Sequence, residues 1–298
     1  MLTHRMAETL SIVGGGRVGR AFGRLLHQHG WRIGVVNALT ASSARSAVRA
    51  IGAGQPAEHF TRQLLASDVV LIATPDGALE DVAKLLAEMG REEWRGKVAL
   101  HTSGAMDSSV LKPLADLGAA TGSIHPMQTF RDHSLPDLVG RTFGIEGKPA
   151  AIKVARKMVR HMGGAAVRLS GVNKAAYHAA GSFACAHILA VMEAATRLLM
   201  AQGFKRRQAA RALLLLTRQT LDNFESVGPR AAWTGPIARG DFSTVGRHVR
   251  ALADFPGEYL EAYKAGTRLA ALVLSGDPDE TLREVDRELG PLKKPGKK

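Results

Sequence analysis

The chain has 298 residues, 45% hydrophobic and 22% charged, a net charge of +13 and a single cysteine. That length allows two separate cores, and the composition is that of a globular protein. One thiol excludes an internal disulfide and a cysteine-rich zinc site, so no metal is expected. The basic excess suits an anionic small molecule. Most basic residues are scattered singly, Lys205-Arg206-Arg207 and the tail 293–298 excepted, and aromatics reach only 5%. With no basic motif interleaved by aromatics, a nucleic-acid partner is not expected. The apolar run after Met6 is too short for a signal peptide, and the longest uncharged stretch, 179–192, is shorter than the roughly 20 residues of a membrane span. No membrane partner is expected, and the cytoplasm is the expected location. Cys185, within that stretch, reads as a buried, inert thiol.

In chain order, the first element is a strand at 10–13, followed at once by Gly14-Gly15-Gly16-Arg17-Val18-Gly19 and a helix at 18–29. Strand, G-x-G-x-x-G and helix together form a dinucleotide-binding pattern. Gly14 permits the tight turn, Gly16 leaves room for a pyrophosphate, and Gly19 lets the helix lie close to the sheet. The helix N-terminus offers free N–H groups and partial positive charge to the phosphates.

A second strand is expected at 32–37 and a helix at 44–51. In NAD-binding units a carboxylate near the end of this strand holds the ribose hydroxyls. None occurs from Arg32 to Arg45; Asn37, Thr40, Ser42, Ser43 and Arg45 offer donors that suit a 2′-phosphate, so NADP is expected rather than NAD. The third strand, 69–74, ends in Thr74-Pro75-Asp76, with Thr74 and Pro75 facing the cofactor and Asp76 reading as the cap of a helix at 79–89.

Strands at 98–102 and 120–125 end in His101-Thr-Ser-Gly-Ala105 and Ser123-Ile-His-Pro-Met-Gln-Thr-Phe130. Both should open on the sheet edge that binds ligands. Ser103 is a candidate for cofactor and substrate, Gly104 for substrate, and His125 for catalysis or for orienting a substrate carboxylate. Further strands at 142–146 and 166–169 flank a helix at 149–162. The fold class is therefore α/β, a doubly wound, mostly parallel Rossmann sheet, followed by an all-α region.

From Asn173 onward only helices are expected: 174–202, 207–225, two between 243 and 274, and one after Asp277-Pro278. The expected domains are 1–170 for cofactor, 171–290 for substrate and dimerisation, and a disordered basic tail at 291–298. Lys174, Tyr177 and His178 are spaced to share one helix face. They are candidates for supplying the proton that hydride addition to C=O or C=N requires. The turn-rich stretch 233–241 offers Thr234 and Arg239 for a substrate carboxylate, although Arg239 could instead pair with Asp241.

Together, 14–19, 101–105, 123–130, 174–178 and 234–241 resemble, in order and over nearly the whole chain, a bacterial family of Rossmann-like oxidoreductases with a helical C-terminal domain of unknown function. That family is similar to the 6-phosphogluconate-dehydrogenase-like group, which includes ketopantoate reductases, pyrroline-5-carboxylate reductases and deazaflavin-dependent NADP oxidoreductases. The resemblance implies NADP(H) binding, a homodimer built through the helical domain, and reduction of a small keto or imino carboxylate. Ketopantoate is the first candidate. A pyrroline-5-carboxylate-type imine and a non-catalytic redox sensor are the alternatives. Hydroxyacid relatives pair a helix lysine with a downstream asparagine; here that position is Ala186, within Phe183-Ala-Cys-Ala186.

Overall fold

The computed structural model describes residues 8–130 and 138–290; the expected tail at 291–298 lies outside them. The chain divides into two compact units between Ala186 and His187. That division falls beyond residue 170, with the first turns of the long helix in the first unit.

The first unit is built on an eight-stranded sheet in the order β3-β2-β1-β4-β5-β6-β7-β8. In chain order it contains β1 (Thr9–Val13), α1 (Arg17–Gln28), β2 (Arg32–Asn37), α2 (Ala41–Ile51), β3 (Gln55–Ala57), β4 (Val69–Ile72) and α3 (Leu79–Met89). There follow β5 (Val98–His101), α4 (Lys112–Asp116), β6 (Ala120–Pro126), β7 (Thr142–Gly147), α5 (Pro149–His161), β8 (Ala165–Arg168) and α6 (Lys174–Ser182). The pairings β2–β1, β1–β4, β4–β5 and β5–β6 are parallel, whereas β7 runs antiparallel to β6. Short strands buried on both faces produce this arrangement, since helices must cover each side of a parallel sheet.

Period-2 alternation assigns the side chains to two cores. Leu10, Ile12, Val69, Leu71, Val98, Leu100 and Ile124 join Phe22 and Leu26 of α1 and Met158 and Val159 of α5. Val13, Val70, Ile72 and Ala99 join Leu79, Val82 and Leu86 of α3, together with Trp94. Phe22 meets Phe143 edge-on at 6.0 Å, and buried Trp94 donates its indole N–H to the Leu86 carbonyl at 3.0 Å. Burying each such large side chain contributes about 1.5–3 kcal/mol. Polar residues alternate into the second face further along the sheet, and those residues form the candidate site.

The second unit is helical: α7 (Ile188–Ala201), α8 (Arg206–Val227), α9 (Pro229–Ala232), α10 (Phe242–Leu252), α11 (Gly257–Leu274) and α12 (Pro278–Leu289). Its small core contains Val245, Ala271, Val285 and Leu289. Asp277 caps α12 by accepting from the Glu280 amide at 3.0 Å, as the Asp-Pro signal predicts. Asp241 likewise caps α10, accepting from the Thr244 amide at 3.2 Å, so its carboxylate is used locally.

A π-helical turn, Phe183–His187, joins α6 to α7, making one run from Lys174 to Ala201. An 18-residue window of this run has a mean hydropathy of 1.5, with 6% buried. The run meets the length and apolarity of a membrane span, which the uncharged stretch alone did not suggest. Cys185 is exposed, contrary to the buried thiol expected, because no described element covers its side of the turn.

Candidate functional site

The carboxyl ends of β1, β2, β4, β5 and β6 form one edge of the sheet. At β1, the amides of Gly14 and Gly15 both donate to the Asn37 carbonyl, at 3.0 and 2.9 Å, pinning the glycine turn to β2. Gly14 has φ +104°, and a Cβ there would lie 2.5 Å from the Ala73 carbonyl oxygen. A Cβ on Gly19 would lie 2.2 Å from the Gly14 oxygen, while one on Gly16 would meet nothing within 4 Å. Gly14 and Gly19 are thus required by the fold, whereas Gly16 faces open space. It is the N-cap of α1, where no side chain caps the helix and no acid occupies the first turn. A helix N-terminus of this kind offers backbone amides and helix-dipole charge to an anion.

Thr74, just past β4 on this edge, has a buried hydroxyl with no hydrogen-bond partner among the described residues. Glycine cradle, open helix end and orphaned hydroxyl together fit a dinucleotide pyrophosphate. Arg17 and Val18 begin α1; Arg17 donates to the Phe130 carbonyl at 2.9 Å. Pro75 leads into a 3-10 turn, Asp76–Ala78, which contains Asp76; the residue preceding α3 is Ala78, so Asp76 is not its cap. At the second strand, the Asn37 side-chain amide donates to the Ala57 and Glu58 carbonyls, both at 3.2 Å. Thr40 caps α2 by accepting from the Ser43 amide at 3.1 Å, and the first turn of α2, with Ser42 and Ser43, has no acid. Arg45 follows on the same helix, exposed.

The loop after β5 is held from within. His101 accepts from the Ser103 amide on Nδ1 at 3.2 Å and shares its Nε2 with the Asp107 carbonyl, also at 3.2 Å. A backbone N–H must donate and a carbonyl must accept, so His101 is neutral with its proton on Nε2. Burial, together with the nearby Lys174 charge, pushes its pKa down to about 4. The Ser103 hydroxyl accepts from the Ala105 and Met106 amides, at 3.1 and 3.0 Å, completing the turn.

Lys174 opens α6, whose cap is Asn173, accepting from the Ala176 amide at 3.1 Å. Only 5% of Lys174 is exposed. Its Nζ donates to the Ser103 carbonyl at 3.2 Å and to the Ser123 hydroxyl at 3.0 Å, tying β5, β6 and α6 together. Burial lowers its pKa, opposed by Glu146, Asp107 and Asp76. Lys174 also borders a cavity of about 610 Å³ lined by Asp107, Ser108, Glu146 and Arg168. One Glu146 oxygen accepts from Ser108 at 2.8 Å; the other is buried and has no partner among the described residues.

One helical turn later, Tyr177 and His178 meet His125 from β6. His125 Nδ1 and the Tyr177 hydroxyl are 3.0 Å apart. The His125 and His178 rings meet edge-on at 5.7 Å. Burial, with the charges of Lys174 and His178, pushes the His125 pKa down to about 4, while burial raises that of Tyr177. Gly104 lies beneath both imidazoles: a Cβ there would come 2.5 Å from His178 Nδ1 and 2.6 Å from His125 Nε2. Thus Ser103, Gly104, His125, Lys174, Tyr177 and His178 are gathered in one place. Thr234 and Arg239 belong to the second unit, around the 3-10 turn Ile237–Arg239.

Three participants escaped notice in the sequence: the brace formed by His101, the acceptor role of Ser123, and Glu146. Alternation was their signal, since His101, Ser123, His125, Gly144 and Glu146 share one sheet face across β5, β6 and β7. Among the described residues no group of three His, Cys, Asp or Glu side chains could hold a metal.

Residues 4–126 match the Rossmann-like domain family, and residues 141–270 match a domain of unknown function, DUF2520. No curated protein matches the chain in sequence. Among solved structures, it is similar to a Bacteroides fragilis protein described as an NADP oxidoreductase (22% identity, TM-score 0.69, covering 87% of this chain and 96% of that one). An imine reductase variant from Myxococcus stipitatus in complex with NAD+ shares 17% identity at TM-score 0.65, covering 96% of this chain and 100% of that one. A pyrroline-5-carboxylate reductase from Coxiella burnetii shares 15% identity at TM-score 0.56, with coverage of 96% and 100%. The chain is a Rossmann-like protein whose second half carries the DUF2520 domain.

Proposed function

We propose that the protein is an NADP(H)-dependent reductase of a small carboxylate bearing a keto or imino group. The observation that carries this reading is the placement of a dinucleotide cradle and a proton-bearing cluster on one edge of one sheet. Gly14, Gly15, Gly16, Val18, Gly19 and Thr74 would hold the pyrophosphate, with Ser42, Ser43 and Arg45 near a 2′-phosphate that no α2 carboxylate would repel. The bound cofactor would supply hydride to the substrate carbon. The chain must then supply a proton at the heteroatom and hold the acceptor in place. His125 and His178 stand over Gly104 for that task, with the Tyr177 hydroxyl on His125 Nδ1 and Lys174 setting the local charge.

Ketopantoate is the carbonyl candidate, and a cyclic imine such as pyrroline-5-carboxylate is the second. The likeness to an imine reductase and to a pyrroline-5-carboxylate reductase favours testing both. The test is NADPH oxidation at 340 nm with ketopantoate, pyrroline-5-carboxylate and a panel of small keto acids and cyclic imines. Turnover on one of them supports the reading. NADPH binding without turnover on any rejects the substrate class.

The protein is further proposed to be a cytoplasmic homodimer joined through its helical unit. Leu189 and Val191 of α7 and Leu214, Leu215, Leu216 and Leu221 of α8 are all exposed. So many large apolar side chains on two neighbouring helices are rarely left in water. Light scattering after size exclusion should give twice the 31.7 kDa chain mass, and Leu215→Lys should reduce it to one. A wild-type monomer, or a protein recovered only in detergent, would contradict the assignment.

A further inference from the structure

We propose that Tyr177 is a positioning residue that fixes the His125 tautomer, so that neutral His125 presents an Nε2–H donor over Gly104 to a carbonyl oxygen or an unprotonated imine nitrogen. The inference rests on the reductase reading for its substrate, but its geometric part stands alone. The Tyr177 hydroxyl and His125 Nδ1 share one hydrogen bond of 3.0 Å. A phenol is a far stronger acid than a neutral imidazole N–H, and an imidazole nitrogen is a far stronger acceptor than a phenol oxygen. The phenol therefore donates and Nδ1 accepts, leaving the imidazole proton on Nε2.

That nitrogen points to the place where a Gly104 Cβ would stand, 2.6 Å away. Gly104 thus keeps the donor accessible; an alanine would occupy its approach. The groups facing His125 are Lys174 and His178 from α6 and Asp76 from the turn after β4, in addition to Tyr177 itself. Burial, with the Lys174 ammonium, opposes an imidazolium there more than the Asp76 carboxylate favours one, so His125 acts as the neutral ring.

The proton balance follows. After hydride has reached the substrate carbon, the heteroatom takes the Nε2 proton while Nδ1 takes the Tyr177 hydroxyl proton. One N–H bond breaks and one forms on the imidazole, one O–H bond breaks on Tyr177, and one O–H or N–H bond forms on the product. The phenolate left behind, with the Lys174 ammonium 5.7 Å from its ring, takes its proton back from Nδ1 as Nε2 picks one up from solvent, which restores the starting tautomer. An iminium that arrives already protonated has no acceptor for Nε2–H, so this arrangement selects ketones and neutral imines.

The test is long-range 1H–15N spectroscopy of the full chain carrying 15N-histidine, with the His125 signals identified by their loss in His125→Gln. The wild type should show an Nε2–H tautomer whose Nδ1 resonance is shifted by an accepted hydrogen bond. Tyr177→Phe, nearly the same size, should lose that shift. An Nδ1–H tautomer in the wild type, or an Nδ1 resonance unmoved by Tyr177→Phe, overturns the proposal. On any substrate found, Tyr177→Phe should lower kcat about 10²-fold with KM little changed; an unchanged kcat overturns the relay. If the spectra behave as stated and the wild type reduces nothing, the reductase reading fails and the positioning role remains.

Discussion

Acidification should weaken the first unit through His101, by an amount the structure sets. In the folded chain this imidazole is fully buried, neutral, and committed at both nitrogens to backbone groups. Its pKa falls from the usual 6.5 to about 4. The folded value is depressed, so between pH 6.5 and 4 the unfolded chain binds a proton that the folded chain refuses. His101 therefore contributes its full stabilisation above pH 6.5 and loses it progressively as pH falls toward 4. At about 1.4 kcal/mol per pH unit, the full loss is about 3 kcal/mol, of which about 2 kcal/mol has gone by pH 5. The assay is urea unfolding at pH 8 and pH 5, followed by tryptophan fluorescence. Trp31 and Trp94, two of the three tryptophans, are buried in the first unit and report on it. His125 has a similarly depressed pKa and adds its own acid sensitivity, so the comparison must be made with His101→Asn. Asparagine keeps an acceptor for the Ser103 amide but does not titrate. The variant should be less stable at pH 8 yet lose about 2 kcal/mol less than the wild type on going to pH 5. Parallel losses in the two proteins would refute the claim that His101 is held neutral by burial.

The glycine motif separates binding from folding. Gly16→Ala should unfold like the wild type but bind NADPH at least about tenfold more weakly, because its Cβ would meet nothing among the described residues but would stand at the proposed pyrophosphate site. Gly19→Ala should lose about 1–3 kcal/mol of stability in urea, since its Cβ would be driven onto the Gly14 oxygen. Arg45→Glu should lower NADPH affinity about tenfold and leave NADH affinity nearly unchanged, measured by fluorescence titration. Lys174→Met should keep NADPH affinity but reduce turnover about 10²-fold, because a neutral side chain removes the charge beside His125 and Tyr177.

Much of the first unit could be read locally. The strand at β1, the glycines after it and the apolar stripe of α1 lie within one continuous stretch, so periodicity and turn chemistry point the same way. The helix over Leu79–Met89 was expected at those same bounds. β3 was missed because Gln55-Pro-Ala57 has no apolar run; it forms only by pairing with the edge of β2. The reversal of β7 was equally hidden, since the composition of Thr142–Gly147 does not encode strand direction. At the site, Lys174, Tyr177 and His178 were legible as one helix face. Glu146 and Ser123 were not, because only the pairing of β6 with β7 brings them to that face. The exposure of the long apolar run Lys174–Ala201 could not be read from composition, which is the same for a buried helix and for an exposed one.

The central claim is that one sheet edge holds both a nicotinamide dinucleotide and the acceptor it reduces. The most direct measurement is a single-turnover experiment: protein in excess over NADPH, mixed with ketopantoate or pyrroline-5-carboxylate, following absorbance at 340 nm and quantifying product. NADPH should disappear with an equal amount of reduced hydroxy or amino acid formed, in the wild type and far more slowly in Tyr177→Phe. Failure of the wild type to bind NADPH at all would contradict it.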